Sequence, residues 1–296
     1  MNSTPEPANH PNKKKSFAQD QRFTALILVI ISLVYVLAFI APNLTGAQDV
    51  NMLSVFEHDE FAQYPNVVRM LTPGDTLLQS LRNFFVYQHY YYGFPFYFFS
   101  ALAILPVRLI GGGQWQTLTS LIVMVLRQMI SVLPMILAVL LLVFTVTRFR
   151  SRGKSIFLTL FLLTLPGVVS NNMWWHPDSL LTLFSVLTIF LLVEDDFRFG
   201  RNFFLSALPC ALAIGVKILG VLFVLTYAVY ILYGFFSHKI TFRRVISRTL
   251  LYLLLLSGIV IITNQLLLLP IERAEILATF KGNLAENTVG FWVKGN

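Results

Sequence analysis

The stretch YYYGFPFYFFSALAILPVRLI, residues 90–110, decides the fold of this chain, because it is apolar enough to enter a membrane and yet opposes crossing it. It is barely long enough for one span, which takes about 20 apolar residues. It also contains Pro95, Pro106 and Arg108 and runs into three glycines. Because prolines and a charge weaken a lipid-exposed helix, we predict a juxtamembrane or re-entrant helix here.

The composition around this stretch sets the class of protein. The chain has 296 residues, of which 56% are hydrophobic and 12% charged, and its mean hydropathy is +0.70. Soluble domains have about 25% charged residues, so a water-soluble enzyme and a disordered chain are both excluded. The single cysteine, Cys210, excludes an internal disulfide and a cysteine-based metal site. We predict an all-α polytopic membrane protein.

Seven further apolar runs supply the predicted spans. They lie at 23–41, 118–147, 155–170, 178–193, 202–216, 218–236 and 249–269. One continuous helix over 202–236 would be about 50 Å long at 1.5 Å per residue, which exceeds a hydrocarbon core of about 30 Å. We therefore expect two shorter helices there, with a tip near Lys217.

The basic residues decide the orientation. If 90–110 spans and the N-terminus is cytoplasmic, the basic loops after 118–147 face outward, against the positive-inside rule. If 90–110 does not span, fourteen of the 22 basic residues lie inside and nine of the 14 acids outside. We predict seven transmembrane helices, a cytoplasmic N-terminus and a large first outer loop with juxtamembrane helices. The predicted units are a cytoplasmic polar head (1–22), a seven-span module (23–270) with its first outer loop at 42–117, and an outer-side tail (271–296) that either ends the chain or begins a longer loop.

The densest ionisable cluster is Glu57-His58-Asp59-Glu60 in the first outer loop. It is explained either as a solvated acidic patch or as a functional cluster, and long structured loops are often functional. The topology brings His176 and Asp178 of the second outer loop to the same face. Asp178 is also explained by the first helical turn, where the helix dipole favours an acid.

Three cations complete the candidate set. Lys217 either snorkels to the interface or binds an anionic headgroup, with Gly215 and Gly220 allowing close approach. Arg127 lies inside a predicted span, where an arginine costs about 2.5–3.5 kcal/mol and usually faces a bundle interior or cavity. Arg69 is a weaker candidate in the loop.

Acids and cations at one membrane face favour one type of chemistry. An acid can act as general base toward a hydroxyl or hold a divalent metal such as Mg²⁺ or Mn²⁺. A cation can hold a phosphate and stabilise it as it leaves. The combination predicts group transfer from a lipid-linked phosphate donor.

In their order, these motifs resemble the GT-C superfamily of polyprenyl-phosphate-dependent glycosyltransferases. That superfamily includes protein O-mannosyltransferases, lipid A aminoarabinose transferase and the oligosaccharyltransferase catalytic subunit. The first-loop acidic pair is matched by Asp59-Glu60 in FEHDEFAQYP, and the tyrosine-proline segment by YYYGFPFYFFSALAILPVRLIGG. Arg127 in VLRQM, Asp178 in WWHPDSLLTLFSVLTIFLL and Lys217 in AIGVKILG match the remaining motifs.

The resemblance, which extends over about 23–270, implies an inverting transfer of a sugar from a polyprenyl-phosphate donor. The acceptor is a hydroxyl of a protein, lipid or glycan on the outer face. Asp59 would act as general base or help position a metal, and Glu60 would support it. The implied substrate-binding residues are His58, Arg69, Arg127, His176, Asp178 and Lys217. Many members continue with further spans or a soluble C-terminal domain, and the short lysine-rich head favours a bacterial inner membrane.

Two other functions stay open. A transporter or flippase for a lipid-linked substrate predicts midplane ionisable residues and repeat-related broken helices. Apart from Arg127, however, the ionisable residues gather at one face, and no clear internal repeat is present in the sequence. A non-catalytic membrane scaffold is the third hypothesis. Nucleic-acid binding is not predicted, because topology explains the basic residues.

Overall fold

The computed structural model describes residues 11–289, which are helical with short connections and contain no strand. Residues 1–10 of the predicted head and 290–296 of the predicted tail lie outside the described range. The α-helices of that range are α1 (Pro11–Ala38), α2 (Ile40–Leu44), α3 (Val50–Phe56), α4 (His58–Met70), α5 (Leu77–Phe85), α6 (Phe94–Gly111), α7 (Thr119–Leu126), α8 (Leu133–Thr147), α9 (Arg152–Leu163), α10 (Pro166–Asn171), α11 (Asp178–Asp195), α12 (Arg201–Leu205), α13 (Ala207–Val216), α14 (Val224–Phe236), α15 (Phe242–Thr263) and α16 (Pro270–Val289).

Five helical segments of the described range are long and apolar enough to cross a membrane. They are Gln19–Leu44, Phe94–Thr117, Thr119–Thr147, Ile218–Phe236 and Phe242–Thr263. Together with the composition, they indicate a helical membrane protein. The segment Phe94–Thr117 contains most of the stretch for which the sequence predicts no crossing, and its length and composition permit one.

Two of the other three predicted spans are divided between shorter helices, and the third forms one helix. The run 155–170 is split after Leu163, because Pro166 begins α10 and a proline favours the first turn of a new helix. The run 202–216 is divided at Ser206 between α12 and α13. The run 178–193 forms α11, which begins at Asp178.

The long helices pack side by side in the order α1, α9, α8, α11, α13 and α15. On one side, the Tyr35 hydroxyl of α1 donates to the Leu163 carbonyl of α9 at 2.8 Å. On the other side, α14 runs back along α13, where the Tyr227 hydroxyl donates to the Ser206 carbonyl at 2.7 Å. We call the end of this bundle with the α8–α9 turn the basic end, and the opposite end the loop end.

The hairpin between α13 and α14 turns at Lys217, as the sequence predicts. Helix α13 ends at Val216, Lys217 is extended, and a 3-10 turn over Ile218–Phe223 leads into α14. A Cβ at Gly220 would lie 2.4 Å from the backbone of Ala213. Gly220 therefore permits tight backbone packing within the hairpin, whereas the predicted close approach of a headgroup to Lys217 stays a prediction.

A π-helical turn over Arg127–Val132 joins α7 to α8. Pro134 follows it directly, and a proline inside a helix removes one backbone hydrogen bond and crowds the preceding turn. Around α7, the first loop forms a cap at the loop end: α4, α7, α13 and the π-helical turn all pack against α6. The second loop joins this cap, because the Ser131 hydroxyl donates to the Trp174 carbonyl at 2.5 Å.

Candidate functional site

Glu60 and Arg127 form a buried ion pair under the cap. Arg127 Nε lies 2.8 Å from Glu60 Oε1, and Nη2 lies 2.6 Å from Oε2. Arg127 Nη1 also donates to the carbonyls of Asn43 and Thr45, at 3.0 and 2.8 Å. The backbone N–H of Trp175 donates to Glu60 Oε1 at 2.5 Å. We call these residues the clamp, since they join α4, the π-helical turn, the end of the first span and the second loop.

The clamp is closed to water. Glu60 is 0% exposed and Arg127 is 2% exposed. Both charged groups are therefore engaged with protein atoms, and this arrangement gives them a positioning role. The sequence predicts a catalytic role for Glu60 and a substrate-binding role for Arg127. In this structure neither side chain is exposed to a substrate.

Asp59 has the opposite environment because of its place on α4. The buried side chains of α4 are Glu60, Gln63, Tyr64, Val67 and Met70, which recur three or four residues apart. Residues at these spacings share one helix face, and Asp59 lies at the edge of that face, about 100° of rotation from Glu60 at 3.6 residues per turn. Its side chain is exposed.

A chain of polar contacts leads from Asp59 across the loop end, and we call it the polar chain. The Asp59 carboxylate lies near enough to the Tyr92 hydroxyl to raise the pKa of that phenol, and the Tyr92 hydroxyl lies 2.8 Å from His176 Nε2. His176 Nδ1 lies 3.0 Å from Asp178 Oδ2. Lys217 Nζ donates to Asp178 Oδ1 at 2.7 Å. Four predicted residues, Asp59, His176, Asp178 and Lys217, are thus brought together by contacts, and Tyr92 links them.

Burial shifts the pKa of two side chains near Asp59, Tyr92 and His89. Burial raises the pKa of Tyr92, and the negative charges of Asp59 and Asp178 raise it further. The phenol therefore stays protonated and remains a hydrogen-bond donor. Burial lowers the pKa of His89, whose Nδ1 lies 2.6 Å from the Tyr97 hydroxyl, while Asp59 acts in the opposite direction.

Close backbone approach holds Tyr92 in place. The next residue, Gly93, donates its N–H to the Val216 carbonyl at 3.3 Å. A Cβ at Gly93 would lie 1.8 Å from the Gly215 carbonyl oxygen, and a Cβ at Gly215 would lie 2.7 Å from Asn264 Nδ2. The two glycines therefore permit the contact that brings Tyr92 next to the Lys217 tip.

The ring of His176 is fixed from its other side. Trp174 stacks on it with ring centroids 4.2 Å apart. The neighbouring Trp175 is fully buried, stacks on Phe96 and donates its Nε1–H to Ser100 Oγ at 2.9 Å. Trp175 thus anchors the second loop against α6, and Trp174 holds the ring of His176 within that loop.

An apolar cavity of about 300 Å³ adjoins the polar chain at Tyr92. Tyrosines of the first loop form one wall, and aliphatic side chains of α13, α15 and α16 with their connecting turns form the others. The wall residues include Tyr87, Tyr90, Tyr91, Ile214, Ile218 and Leu277. A ligand with a polar head at Lys217 could therefore place an apolar tail in this space.

Two predicted residues lie apart from the polar chain. His58 is exposed and contacts the ring of Phe61. Arg69 donates from Nη2 to the Val86 carbonyl and so ties α4 to the segment after α5. Burial lowers the pKa of Arg69. These contacts give Arg69 a structural role.

The residues present do not fit a divalent metal. Within residues 11–289, no group of three or more His, Cys, Asp or Glu side chains is arranged to hold a metal ion. The Asp178 carboxylate is engaged by Lys217. We therefore derive no step through a metal.

Sequence reasoning assigned no role to Tyr92 or His89. Both lie just before α6, and Tyr92 belongs to the quoted YYYGFP segment. Three adjacent tyrosines give no sign of which one faces the acids. The contact of Gly93 with Val216 makes that choice, and it joins residues far apart in the sequence.

No protein-family model matches this chain, and comparisons with curated proteins and with solved structures find no match. The fold and the site therefore define a class only. The chain is a helical membrane protein whose polar side chains converge at one end of its bundle.

Proposed function

We propose that this chain is a membrane glycosyltransferase of the GT-C type, which moves a sugar from a polyprenyl-phosphate donor to an acceptor hydroxyl with inversion. One observation carries the proposal: the exposed Asp59 lies near Tyr92, which contacts His176 and through it the Asp178–Lys217 pair, beside an apolar cavity. The arrangement offers a base, a cation and an apolar surface, which are the three requirements of this reaction.

The proposal includes the predicted topology of seven spans with the loop end outside, and the length of one helix supports the placement of α6 in it. The Ser131 hydroxyl donates a hydrogen bond to the second loop. The helix from Ser131 to Thr147 is about 24 Å long, which is close to the thickness of a hydrocarbon core of about 30 Å. The preceding turns from Thr119 then project beyond the core. Helix α6 packs beside these turns, which supports its juxtamembrane placement.

In the proposed reaction, Asp59 is the general base. It removes the proton of the acceptor hydroxyl while the acceptor oxygen bonds to the anomeric carbon of the sugar. The bond from that carbon to the donor phosphate oxygen breaks, and its electron pair leaves with the phosphate. Because attack and departure occur on opposite faces, the configuration inverts. The Tyr92 hydroxyl lies near the Asp59 carboxylate and is placed to orient it when the acceptor binds.

Lys217 is placed to receive the leaving phosphate. Its Nζ gives one hydrogen bond to Asp178 and the side chain is 22% exposed, so further N–H donors are available to phosphate oxygens. Asp178 fixes the position of the ammonium group, and His176 links that pair to Tyr92. The charge of the leaving group therefore develops next to a fixed cation.

The cavity at Tyr92 supplies the lipid contact. Pockets of about 300–1,000 Å³ lined by apolar and aromatic side chains are typical of small-molecule sites. The first isoprene units of a polyprenyl chain have this apolar character. The phosphate of such a donor would then lie near Lys217, at the mouth of the cavity.

The proposal is tested with the full chain reconstituted in liposomes that contain a panel of polyprenyl-phosphate sugars and candidate acceptors. Liberated polyprenyl phosphate is measured. We expect Asp59→Asn to lower turnover by about 100- to 10,000-fold, the typical contribution of general acid–base catalysis. The matched control is Asp75→Asn, an exposed acid of the same loop, which should keep full activity.

The other outcomes would contradict the role of Asp59 or identify a different function. Full turnover in Asp59→Asn would exclude Asp59 as the base. Donor binding by the wild-type chain without any liberated polyprenyl phosphate would identify a scaffold. Passage of an intact labelled donor across the bilayer would identify a flippase.

A further inference from the structure

A second cavity lies at the basic end, far from the polar chain in the fold. It has a volume of about 520 Å³ and opens between α1, the end of α8 and the α8–α9 turn. We call it the arginine notch. Its lining residues are Gln21, Arg22, Ala25, Phe144, Arg148, Phe149 and Arg150. Among these described lining residues, three are arginines and none is acidic.

The notch is held in shape by contacts across α1 and α8. Gln21 donates from Nε2 to the Arg148 carbonyl at 2.8 Å. Arg148 pairs with Glu194 and lies over the ring of Phe144, 5.1 Å from its centroid. Arg148 and Phe149 both have positive φ angles, 50° and 54°, which are uncommon for bulky residues. This turn brings Phe149 and Arg150 back toward α1.

One wall of the notch continues into an apolar surface. Phe23 and Leu26 of α1 are 48% and 55% exposed. They follow Arg22 within one helical turn, in a helix that is long and apolar enough to span a membrane. Such side chains face lipid in a membrane protein. A ligand that fits the notch thus has an anionic head and an apolar body.

We propose that the arginine notch binds the headgroup of an anionic phospholipid. Guanidinium groups bind phosphate oxygens in pairs, and basic pockets between membrane helices are typical sites for anionic lipid headgroups. Arg22 and Arg150 hold the phosphate from the two sides of the opening. The rings of Phe144 and Phe149 cover the glycerol and the first methylene groups.

The bound lipid joins α1 to the rest of the bundle. Gln21 and Arg22 belong to α1, whereas Arg148 and Arg150 belong to the end of α8 and its turn. A headgroup held by both sides therefore stabilises this packing and raises the unfolding temperature by mass action. This site does not depend on the glycosyltransferase proposal, since none of its residues belongs to the polar chain or the clamp.

The test uses the full chain in a zwitterionic detergent, titrated with phosphatidylglycerol, phosphatidylcholine or inorganic phosphate. Native mass spectrometry counts bound lipid, and thermal unfolding reports stability. We expect phosphatidylglycerol alone to bind and to raise the unfolding temperature. Arg22→Gln with Arg150→Gln should weaken that binding about tenfold or more. The control, Arg243→Gln with Arg244→Gln, removes the same charge from exposed positions on α15 and should bind normally.

Three results would overturn the proposal. Equal losses in the two double variants would mean general attraction to the basic end. Equal stabilisation by inorganic phosphate would mean a free-anion site, and equal binding of phosphatidylcholine would mean a purely apolar one. If the glutamine variant does not fold, Arg22→Lys with Arg150→Lys keeps the charge and removes the paired donors, so binding between the wild-type and the unbound level is expected.

Discussion

Asp59 and Glu60 are neighbours in the sequence, but their carboxylates lie in two regions with opposite properties. Glu60 is in the clamp, where water is excluded and Arg127 and Trp175 satisfy both oxygens. Asp59 is at the open end of the polar chain, exposed and next to Tyr92. A pair of adjacent acids on a helix is therefore two sites, because about 100° of rotation separates consecutive residues.

The two regions are also mechanically connected. Glu60 accepts the Trp175 N–H in the clamp, and the next residue, His176, belongs to the polar chain. The clamp thus sets where the second loop presents His176 and Asp178. A buried pair built for position and an open acid built for contact with a ligand should respond differently to substitution, and the following predictions test that difference.

The largest expected effect is the loss of stability when the clamp is broken. Glu60→Gln leaves Arg127 buried without its counter-charge, and removing one partner of a buried pair costs about 3–5 kcal/mol. Asp59→Asn, one residue away but exposed, should change the free energy of unfolding by less than about 0.5 kcal/mol. Chemical denaturation in detergent measures both values.

A double variant separates charge from packing in the clamp. Glu60→Leu with Arg127→Met removes both charges, so part of the lost stability should return. Full recovery is not expected, because the Trp175 N–H and the carbonyls of Asn43 and Thr45 lose their partners. Equal stability of Glu60→Gln and the wild type would contradict the clamp.

The second prediction concerns the backbone contact that holds Tyr92. Gly93→Ala forces a Cβ to within 1.8 Å of the Gly215 oxygen, so the loop must move away from α13. We expect a loss of about 1–3 kcal/mol, the usual cost of overpacking, together with reduced sugar transfer. Gly113→Ala is the control, since a Cβ there meets no atom of the described residues within 4 Å.

The third prediction concerns Lys217, whose substitution should reduce turnover more than it reduces stability. Lys217→Met should reduce turnover about 10- to 100-fold, a loss of about 1.4–2.7 kcal/mol of transition-state stabilisation. Its ion pair with Asp178 is partly exposed, so the free energy of unfolding should change by less than about 1 kcal/mol. Lys239→Met, at an exposed position of the basic end, should leave turnover unchanged. A variant that loses stability but keeps its turnover would give Lys217 a structural role only.

The sequence predicted the parts of this fold that depend on local signals. The turn at Lys217 follows from the length of the apolar run and its glycines. The placement of Asp178 in the first turn of α11 is also confirmed. Its pairing with Lys217 matches the prediction that both lie at one face.

Other features depend on contacts that the sequence does not show. Glu60 and Arg127 of the clamp have the residue types of a substrate site, and only the three- and four-residue spacing of Glu60 with Gln63 and Tyr64 signals a buried face. The π-helical turn at Arg127 and the choice of Tyr92 among three tyrosines are set by tertiary packing. Helix propensities and hydropathy carry no information about either.

The smallest expected effect concerns Glu57, one turn before the clamp. Burial raises the pKa of its carboxyl, and the charges of Glu60 and Asp59 add to this rise more than Arg127 offsets it. A raised folded-state pKa means that the native state binds the proton more tightly than the unfolded chain. Stability therefore falls as the pH rises from the unfolded-state pKa to the folded-state pKa.

Glu57→Gln should therefore be a few tenths of a kcal/mol more stable than the wild type at pH 7, whereas Glu60→Gln is far less stable. The gain should disappear when the pH falls below the ordinary carboxyl range, where Glu57 is protonated in both states. Denaturation at pH 7 and near pH 3 measures it, and a loss of stability in Glu57→Gln at pH 7 would show that Glu57 also belongs to the clamp.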